Sequence, residues 1–245
     1  QKPRMERVEM ARRLARWLLN ATPTAASLQT AVAWQSDQGA FVDWARFRLL
    51  GGDELPDLSQ AYSACREAVI ARRNAFAKPF AQALVQWNAQ KPAPEGRIIP
   101  LESVLEHVLA PIAAALGSRM RWVRRAPIAA AHPTLLLVMD GLSTSIFREL
   151  FARIASQGWA EMVPSSLGQP LAGVAALPTI TEVSRASLLC GRLTVGASAQ
   201  EKTGFATNAA LLAHSRADAP PRLFHKGDLA DATNLAPEVR AAIAS

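Results

Sequence analysis

Two stretches of the chain carry residues whose types suit chemistry on an anion. The run "TLLLVMDG" ends on Asp140 and Gly141, and "LPTITEVSRASLLCG" places Thr181, Ser184 and Arg185 at the start of a predicted helix. Free backbone N–H groups and the positive end of the helix dipole favour a phosphate or a metal-bound alkoxide at such a start. An aspartate that ends a buried parallel strand points toward the same kind of ligand site.

Both stretches also have purely structural explanations. Asp140 could cap the following helix or bond the turn. Thr179 and Glu182 match the capping box, in which a Ser or Thr and a Glu three residues later satisfy two backbone donors reciprocally. A capping box explains neither Thr181 nor Arg185, and it can coexist with an active site.

The elements that must position these residues change character near residue 130. Up to that point helical periodicity predicts helices over about 3–20, 24–37, 40–50, 58–89 and 100–116. Beyond it, apolar runs predict strands over 134–140, 159–164 and 221–227, alternating with helices over 143–157 and 181–190. We therefore expect an α-helical domain over residues 1–130 and a doubly wound α/β domain over 131–245.

Composition excludes several classes of protein. Half of the 245 residues are hydrophobic, which is typical of a folded domain. Cys65 and Cys190 are too few and too far apart for a disulfide framework or a metal cluster, so we expect free thiols in a reducing compartment. No apolar run approaches the roughly 18 residues of a membrane helix, and no signal peptide is evident. We predict a cytoplasmic location.

The net charge of +7 belongs to the first half, where 18 Lys and Arg face 11 Asp and Glu. Four arginines flank Trp122 near the domain junction: Arg119, Arg121, Arg124 and Arg125. Cationic groups for phosphates beside an aromatic ring are typical of a nucleic-acid contact. A solvated linker, or one docked on an acidic partner, is the alternative interpretation of this cluster.

The two stretches together resemble the opening of the PglZ domain, a branch of the alkaline phosphatase superfamily found in bacteriophage-exclusion (BREX) defence systems. The resemblance covers residues 131–245, about the first half of such a domain. It rests on Asp140 at a strand end and on Pro178, Thr179, Thr181 and Gly191 in the second stretch. It implies that Asp140 binds a metal, that Thr181 is both nucleophile and metal ligand, and that Ser184 contacts a phosphoryl oxygen.

The resemblance also implies a cofactor of two ions, Zn²⁺ or Mn²⁺, with further Asp and His ligands later in the polypeptide. Threonine is a poor nucleophile at neutral pH, so metal coordination is a plausible activator. Arg185 or the helix start could neutralise the equatorial oxygens. The late candidates for ligands have no recognisable metal spacing: His214, Asp218, His225 and Asp228. Because helical periodicity runs to both ends, we expect a piece of a longer protein.

A third stretch, "GASAQEKT" at residues 196–203, has the Gly and Lys-Thr of a phosphate-binding P-loop. Glu201 stands where that motif has its second glycine. A carboxylate there would repel phosphate, so the sequence argues against ATP binding at this loop.

The resemblance implies two candidate functions, and the basic first half suggests a third. The first is a metal-dependent phosphohydrolase or phosphodiesterase of antiphage defence, acting on a phosphoester with other defence proteins as partners. The second is a catalytically silent, phosphatase-like scaffold that binds those proteins. The third is a DNA-binding module led by the basic helical half, whose binding should weaken steeply with salt. No membrane partner is expected.

Overall fold

The computed structural model describes residues 2–20, 27–90, 94, 96–119, 134–164, 167–231 and 234–244. The described chain is mostly helical, with a small parallel sheet of two strands, and is α/β in that general sense. It divides into two units, residues 1–92 with 141–172 and residues 93–140 with 173–245. The predicted boundary at residue 130 lies outside the described residues.

In its described part, the first unit contains five α-helices: α1 (Lys2–Leu19), α2 (Leu28–Trp34), α3 (Ala40–Arg48), α4 (Pro56–Ala89) and α6 (Thr144–Ala155). Ser27 caps α2, since its hydroxyl accepts a hydrogen bond from the Thr30 amide. A π-helical turn, Gln35–Gly39, makes α2 and α3 one continuous helical run. Helices were predicted at all these places, and the predictions are confirmed.

Aromatic side chains fill the core of the first unit. Trp34 packs on Phe76 with ring centroids 4.4 Å apart, and the guanidinium of Arg72 lies 4.4 Å from the centroid of the Trp17 ring. Trp17 and Leu14 are the buried residues of α1. Large rings bury much apolar surface per residue, so a few aromatic side chains supply much of the core that holds these helices together.

The second unit carries shorter elements: β1 (Ile98–Pro100), α5 (Ala110–Arg119), β2 (Ala172–Val174, of which Ala172 falls in the first unit), α7 (Thr181–Cys190), α8 (Ser198–Ala206), α9 (Ala209–Leu212), β3 (Ala230–Asp231), β4 (Asn234–Leu235) and α10 (Pro237–Ala244). β1 pairs with β2, and β3 forms an antiparallel hairpin with β4. Leu188 and Leu189 of α7 pack with Leu105, Phe205 and Leu211 in a mainly aliphatic core. This packing fixes α7 against α8.

The strand predicted over 134–140 was wrong. The segment belongs to no strand, and Leu135 and Leu137 are 74% and 64% exposed. Leu136 alone packs against the core of the second unit. A parallel strand needs partners that satisfy its backbone groups and helices that cover its faces, and the described residues supply neither here.

The strands predicted over 159–164 and 221–227 were also wrong. Trp159 and Met162 are 71% and 79% exposed on an irregular segment. The second segment leads into a 3₁₀ turn, Lys226–Asp228, and the short hairpin comes after it. Short apolar runs do not distinguish a strand from a loop when no neighbouring strand is known.

Among the described residues, no helix combines the length and the apolar character required to cross a membrane.

Candidate active site

Helix α7 begins one residue later than the capping-box pattern requires. Ile180 is the N-cap, in an extended conformation, and makes no side-chain capping bond. Glu182 is therefore the second residue of the helix, where its side chain does not complete the reciprocal bond with Thr179, and the predicted capping box was wrong. Thr181 becomes the first helical residue, beside N–H groups that have no partner within the helix.

The structure brings Asp140 and Thr181 together across 41 residues of sequence. The Thr181 hydroxyl donates a hydrogen bond from Oγ1 to Asp140 Oδ2 at 3.3 Å. Both side chains are exposed, so a ligand in solvent can reach them. Gly141 follows with φ of 76°, a left-handed conformation that glycine adopts without strain, and it turns the chain away after Asp140.

Arg185 is the third member of this group. It lies four residues after Thr181 on the same helix, and residues at that spacing share a face. Its Nη1 is 3.8 Å from Asp140 Oδ2, the oxygen that accepts the Thr181 bond. Three of the predicted site residues thus converge on one place: an acceptor, a hydroxyl and a cation.

Ser184 makes a different contact. Its hydroxyl donates to the carbonyl oxygen of Ala176 at 3.1 Å, a bond that ties α7 to the segment before it. In this arrangement the hydroxyl proton of Ser184 is directed at the backbone and away from Asp140.

Glu201, on the neighbouring helix α8, contacts Arg185. Its side chain is fully buried, and its Oε1 accepts a hydrogen bond from Arg185 Nε at 3.0 Å. Its second oxygen, Oε2, lies 3.4 Å from His225 Nε2 and makes no hydrogen bond within the described chain. His225 Nε2 is also 3.4 Å from the Ser198 carbonyl oxygen.

The turn that carries His225 is held by Asp228. The His225 backbone N–H donates to Asp228 Oδ2 at 2.8 Å, and Lys202 Nζ lies 2.7 Å from the same oxygen. The hydrogen bond from Lys202, followed by that from the His225 backbone, lowers the pKa of Asp228 below its usual value. Asp228 therefore acts here as an anchor between α8 and the turn.

Ser187 of α7 is fully buried, and its hydroxyl both donates and accepts a hydrogen bond. Its hydroxyl donates to the Thr194 carbonyl at 3.1 Å and accepts from the Thr194 amide at 3.0 Å. Gly191, in the left-handed conformation at φ of 66°, ends the helix before this loop. The hydroxyl-rich sequence of α7 is thus divided between the site (Thr181) and the backbone (Ser184 and Ser187).

The donor set at Asp140 fits part of a divalent-cation site. A carboxylate oxygen and a hydroxyl oxygen 3.3 Å apart can coordinate the same ion. No group of three or more His, Cys, Asp or Glu side chains that could hold a metal occurs in the described residues. Asp140 and Thr181 can therefore supply two ligands, and a complete site needs others.

The side chains of the four-arginine cluster lie outside what the structure describes. Arg121, Arg124 and Arg125 lie outside the described residues, and so does the side chain of Arg119, the last residue of α5. Of the late candidates, Asp218 pairs with Arg216, which lowers the pKa of its carboxyl, and the contacts of the described residues include no bond from His214 or Asp218 to Asp140 or Thr181.

Sequence reasoning missed the role of Glu201, which it treated only as a residue that breaks a P-loop. The signal was present in the helical spacing. Glu201 stands four residues before the buried Phe205, on the face of α8 that packs against α7. A carboxylate on a buried face needs a cationic partner, and Arg185 is the arginine of the neighbouring helix.

Comparison with known proteins gave no match to any protein-family model, curated protein or solved structure. The function proposed below is accordingly argued from the residues and geometry of the site and from the motif resemblance.

Proposed function

We propose that this chain contains part of a metal-dependent phosphohydrolase of the PglZ type, with Thr181 as nucleophile. The observation that carries the proposal is the hydrogen bond from Thr181 to Asp140, which joins the two motifs across 41 residues. An exposed hydroxyl at a helix start, beside a carboxylate and an arginine, supplies a nucleophile together with groups that can bind a metal and stabilise negative charge.

The roles of the residues follow from their positions. Thr181 Oγ1 attacks phosphorus, the P–O bond to the leaving group breaks, and the leaving-group oxygen takes the electron pair. The hydrogen bond to Asp140 Oδ2 holds Thr181 Oγ1 beside the carboxylate that would share a metal ion with it. Arg185 and the positive end of the α7 dipole face the developing negative charge of the phosphoryl oxygens. Water then hydrolyses the phosphothreonine.

The proposal includes a pair of ions, Zn²⁺ or Mn²⁺, with Asp140 and Thr181 among their ligands and others later in the polypeptide. Such ions, when bound, lower the pKa of a coordinated hydroxyl or water and stabilise attacking and leaving oxygens. An alkaline-phosphatase-like doubly wound sheet, a cytoplasmic phosphoester substrate and a role in antiphage defence with other BREX proteins belong to the same proposal. The motif resemblance supports them.

The test is hydrolysis of a chromogenic phosphodiester with Zn²⁺ or Mn²⁺ by the natural polypeptide that contains this chain. Thr181→Ala should reduce turnover to the background rate, because the attacking oxygen is removed. Thr179→Ala is the matched control, since it makes the same chemical change two residues earlier at an exposed side chain. Equal turnover by Thr181→Ala and the unsubstituted protein would reject Thr181 as nucleophile.

A silent scaffold is the second candidate function. The observation that favours it is the exposed apolar segment 134–139, whose Leu135 and Leu137 present the kind of surface that protein partners cover. Absence of turnover with either metal, together with retained binding of a defence protein, would favour the scaffold over the enzyme.

A further inference from the structure

The guanidinium of Arg185 is hydrogen-bonded at Nε, and part of it is exposed to solvent. Its Nε donates to Glu201 Oε1 at 3.0 Å, and its Nη1 lies 3.8 Å from Asp140 Oδ2, beyond hydrogen-bonding distance. The side chain is 31% exposed, so part of it faces solvent. The group can therefore donate its remaining N–H bonds to an anion while Glu201 fixes its plane.

Glu201 is well suited to this task because it cannot move easily. The side chain has no solvent exposure, and α8 is packed tightly on α7, where a Cβ added at Gly204 would lie 3.1 Å from the Cys190 backbone. A buried carboxylate is costly unless a cation compensates it, so the pair favours one position of Arg185. Glu201 Oε2 lies near His225 but accepts no hydrogen bond from the described residues. Within the described structure, the bond from Arg185 is therefore the one hydrogen bond that the Glu201 side chain makes.

We propose that Glu201 is a positioning residue that orients Arg185 toward a phosphoryl oxygen of a substrate bound at Thr181. The inference rests on the proposed phosphohydrolase function. It assigns the substrate class as a phosphate ester with at least one anionic oxygen free to accept from Arg185. Glu201 itself touches neither substrate nor nucleophile; it acts through the guanidinium.

The test measures binding of inorganic phosphate to the full chain by ³¹P NMR. EDTA is present, so that binding does not depend on a metal. Glu201→Gln should weaken binding about tenfold, because loss of one charge-assisted bond frees the guanidinium. Glu182→Gln is the matched control: the same change next to Thr181, at an exposed side chain with no ion pair among the described contacts. It should bind as the unsubstituted chain does.

A double-variant experiment distinguishes positioning of Arg185 from a purely structural role of Glu201. If Glu201 acts through Arg185, the double variant Glu201→Gln/Arg185→Gln should bind phosphate as weakly as Arg185→Gln alone. Two independent losses that add would overturn the proposal. Arg185→Lys tests it without altering Glu201, since it keeps the charge but loses the rigid fork. Binding as tight as that of the unsubstituted chain would show that a positive charge suffices, and would overturn positioning.

Failure of this inference differs from failure of the proposed function. Phosphate binding that depends on Glu201 and Arg185, without hydrolysis by the natural polypeptide, would support positioning and count against the enzyme. Hydrolysis lost in Thr181→Ala, with equal phosphate binding and equal KM and kcat in Glu201→Gln, would support the enzyme and overturn positioning. No phosphate binding by the unsubstituted chain would also overturn positioning.

Discussion

Among the described residues, Asp53 of the first unit and Glu201 of the second each have a carboxylate side chain with no solvent exposure, but the two are satisfied to different degrees. Asp53 of the first unit accepts a hydrogen bond from the Leu55 amide at 3.1 Å and bonds from Arg4 at 3.0 and 3.1 Å. Arg7 adds another bond at 3.2 Å. Both oxygens of Asp53 are thereby used, by groups on α1 and in its own turn.

Glu201 of the second unit has one hydrogen-bonded oxygen and one without a partner in the described structure. Arg185, which donates to Glu201, also lies 3.8 Å from the exposed Asp140, and Asp140 in turn accepts the Thr181 hydrogen bond. A fully satisfied carboxylate contributes only to holding helices together. A partly satisfied one, linked to the surface through its cation, is more typical of a site where a ligand completes the network.

The largest effect on stability should come from Asp53→Asn. The amide cannot compensate two arginines, and its Nδ2 would face their donors, so the thermal midpoint should fall by several degrees. Glu54→Gln is the control, because Glu54 also pairs with Arg4 but its side chain is 94% exposed. Equal midpoints for the two variants, measured by circular dichroism, would contradict this interpretation of Asp53.

Gly204→Ala tests the packing that carries Glu201 without changing a charge. The new Cβ would lie 2.5 Å from Cys190 Sγ and 3.1 Å from the Cys190 Cα, so α8 must shift from α7. We expect a loss of about 1–3 kcal/mol in the free energy of unfolding, measured with urea. Gly227→Ala meets no atom within 4 Å and should lose less. An unchanged midpoint in Gly204→Ala would refute the close contact.

Asp53 should also have a smaller effect, on how stability depends on pH. The Leu55 amide, together with Arg4 and Arg7, lowers the pKa of Asp53 from 3.8 to about 2. A folded pKa below the unfolded value means that Asp53 contributes its full stability above about pH 4, and this contribution is lost as pH falls toward 2. Acid titrations of the unsubstituted chain and Asp53→Asn should therefore converge over that window. Parallel curves would exclude Asp53 as the source.

The smallest effect should come from Glu9→Gln. Glu9 pairs with Arg12 and Arg13 on the exposed face of α1, and hydrogen bonds from these arginines lower its pKa from 4.5 to about 2. Solvent and salt screen such pairs, so the thermal midpoint at neutral pH should change little compared with Asp53→Asn. A loss as large as that of Asp53→Asn would mean that burial does not decide the strength of these pairs.

The helices were predictable because their signals are local. Ser143 caps α6 with a bond to the Ile146 amide, and Gly158 and Gly191 stop α6 and α7 in left-handed conformations. The strands were not predictable, since an apolar run such as 134–139 becomes a strand only when distant segments pair with it. The motif resemblance singled out Asp140 and Thr181, whose side chains lie together in the structure. It could not find Glu201, whose role depends on how α8 packs against α7.

The two hydrogen bonds between Ser187 and Thr194 link the exchange of a loop amide to the opening of helix α7. Because the Thr194 amide donates to a side chain of α7 and not to the backbone, its protection depends on α7 keeping its place. Amide hydrogen exchange at this one position should therefore report the opening of α7, the helix that carries Thr181. An amide in a short loop would then exchange as slowly as the interior of a helix.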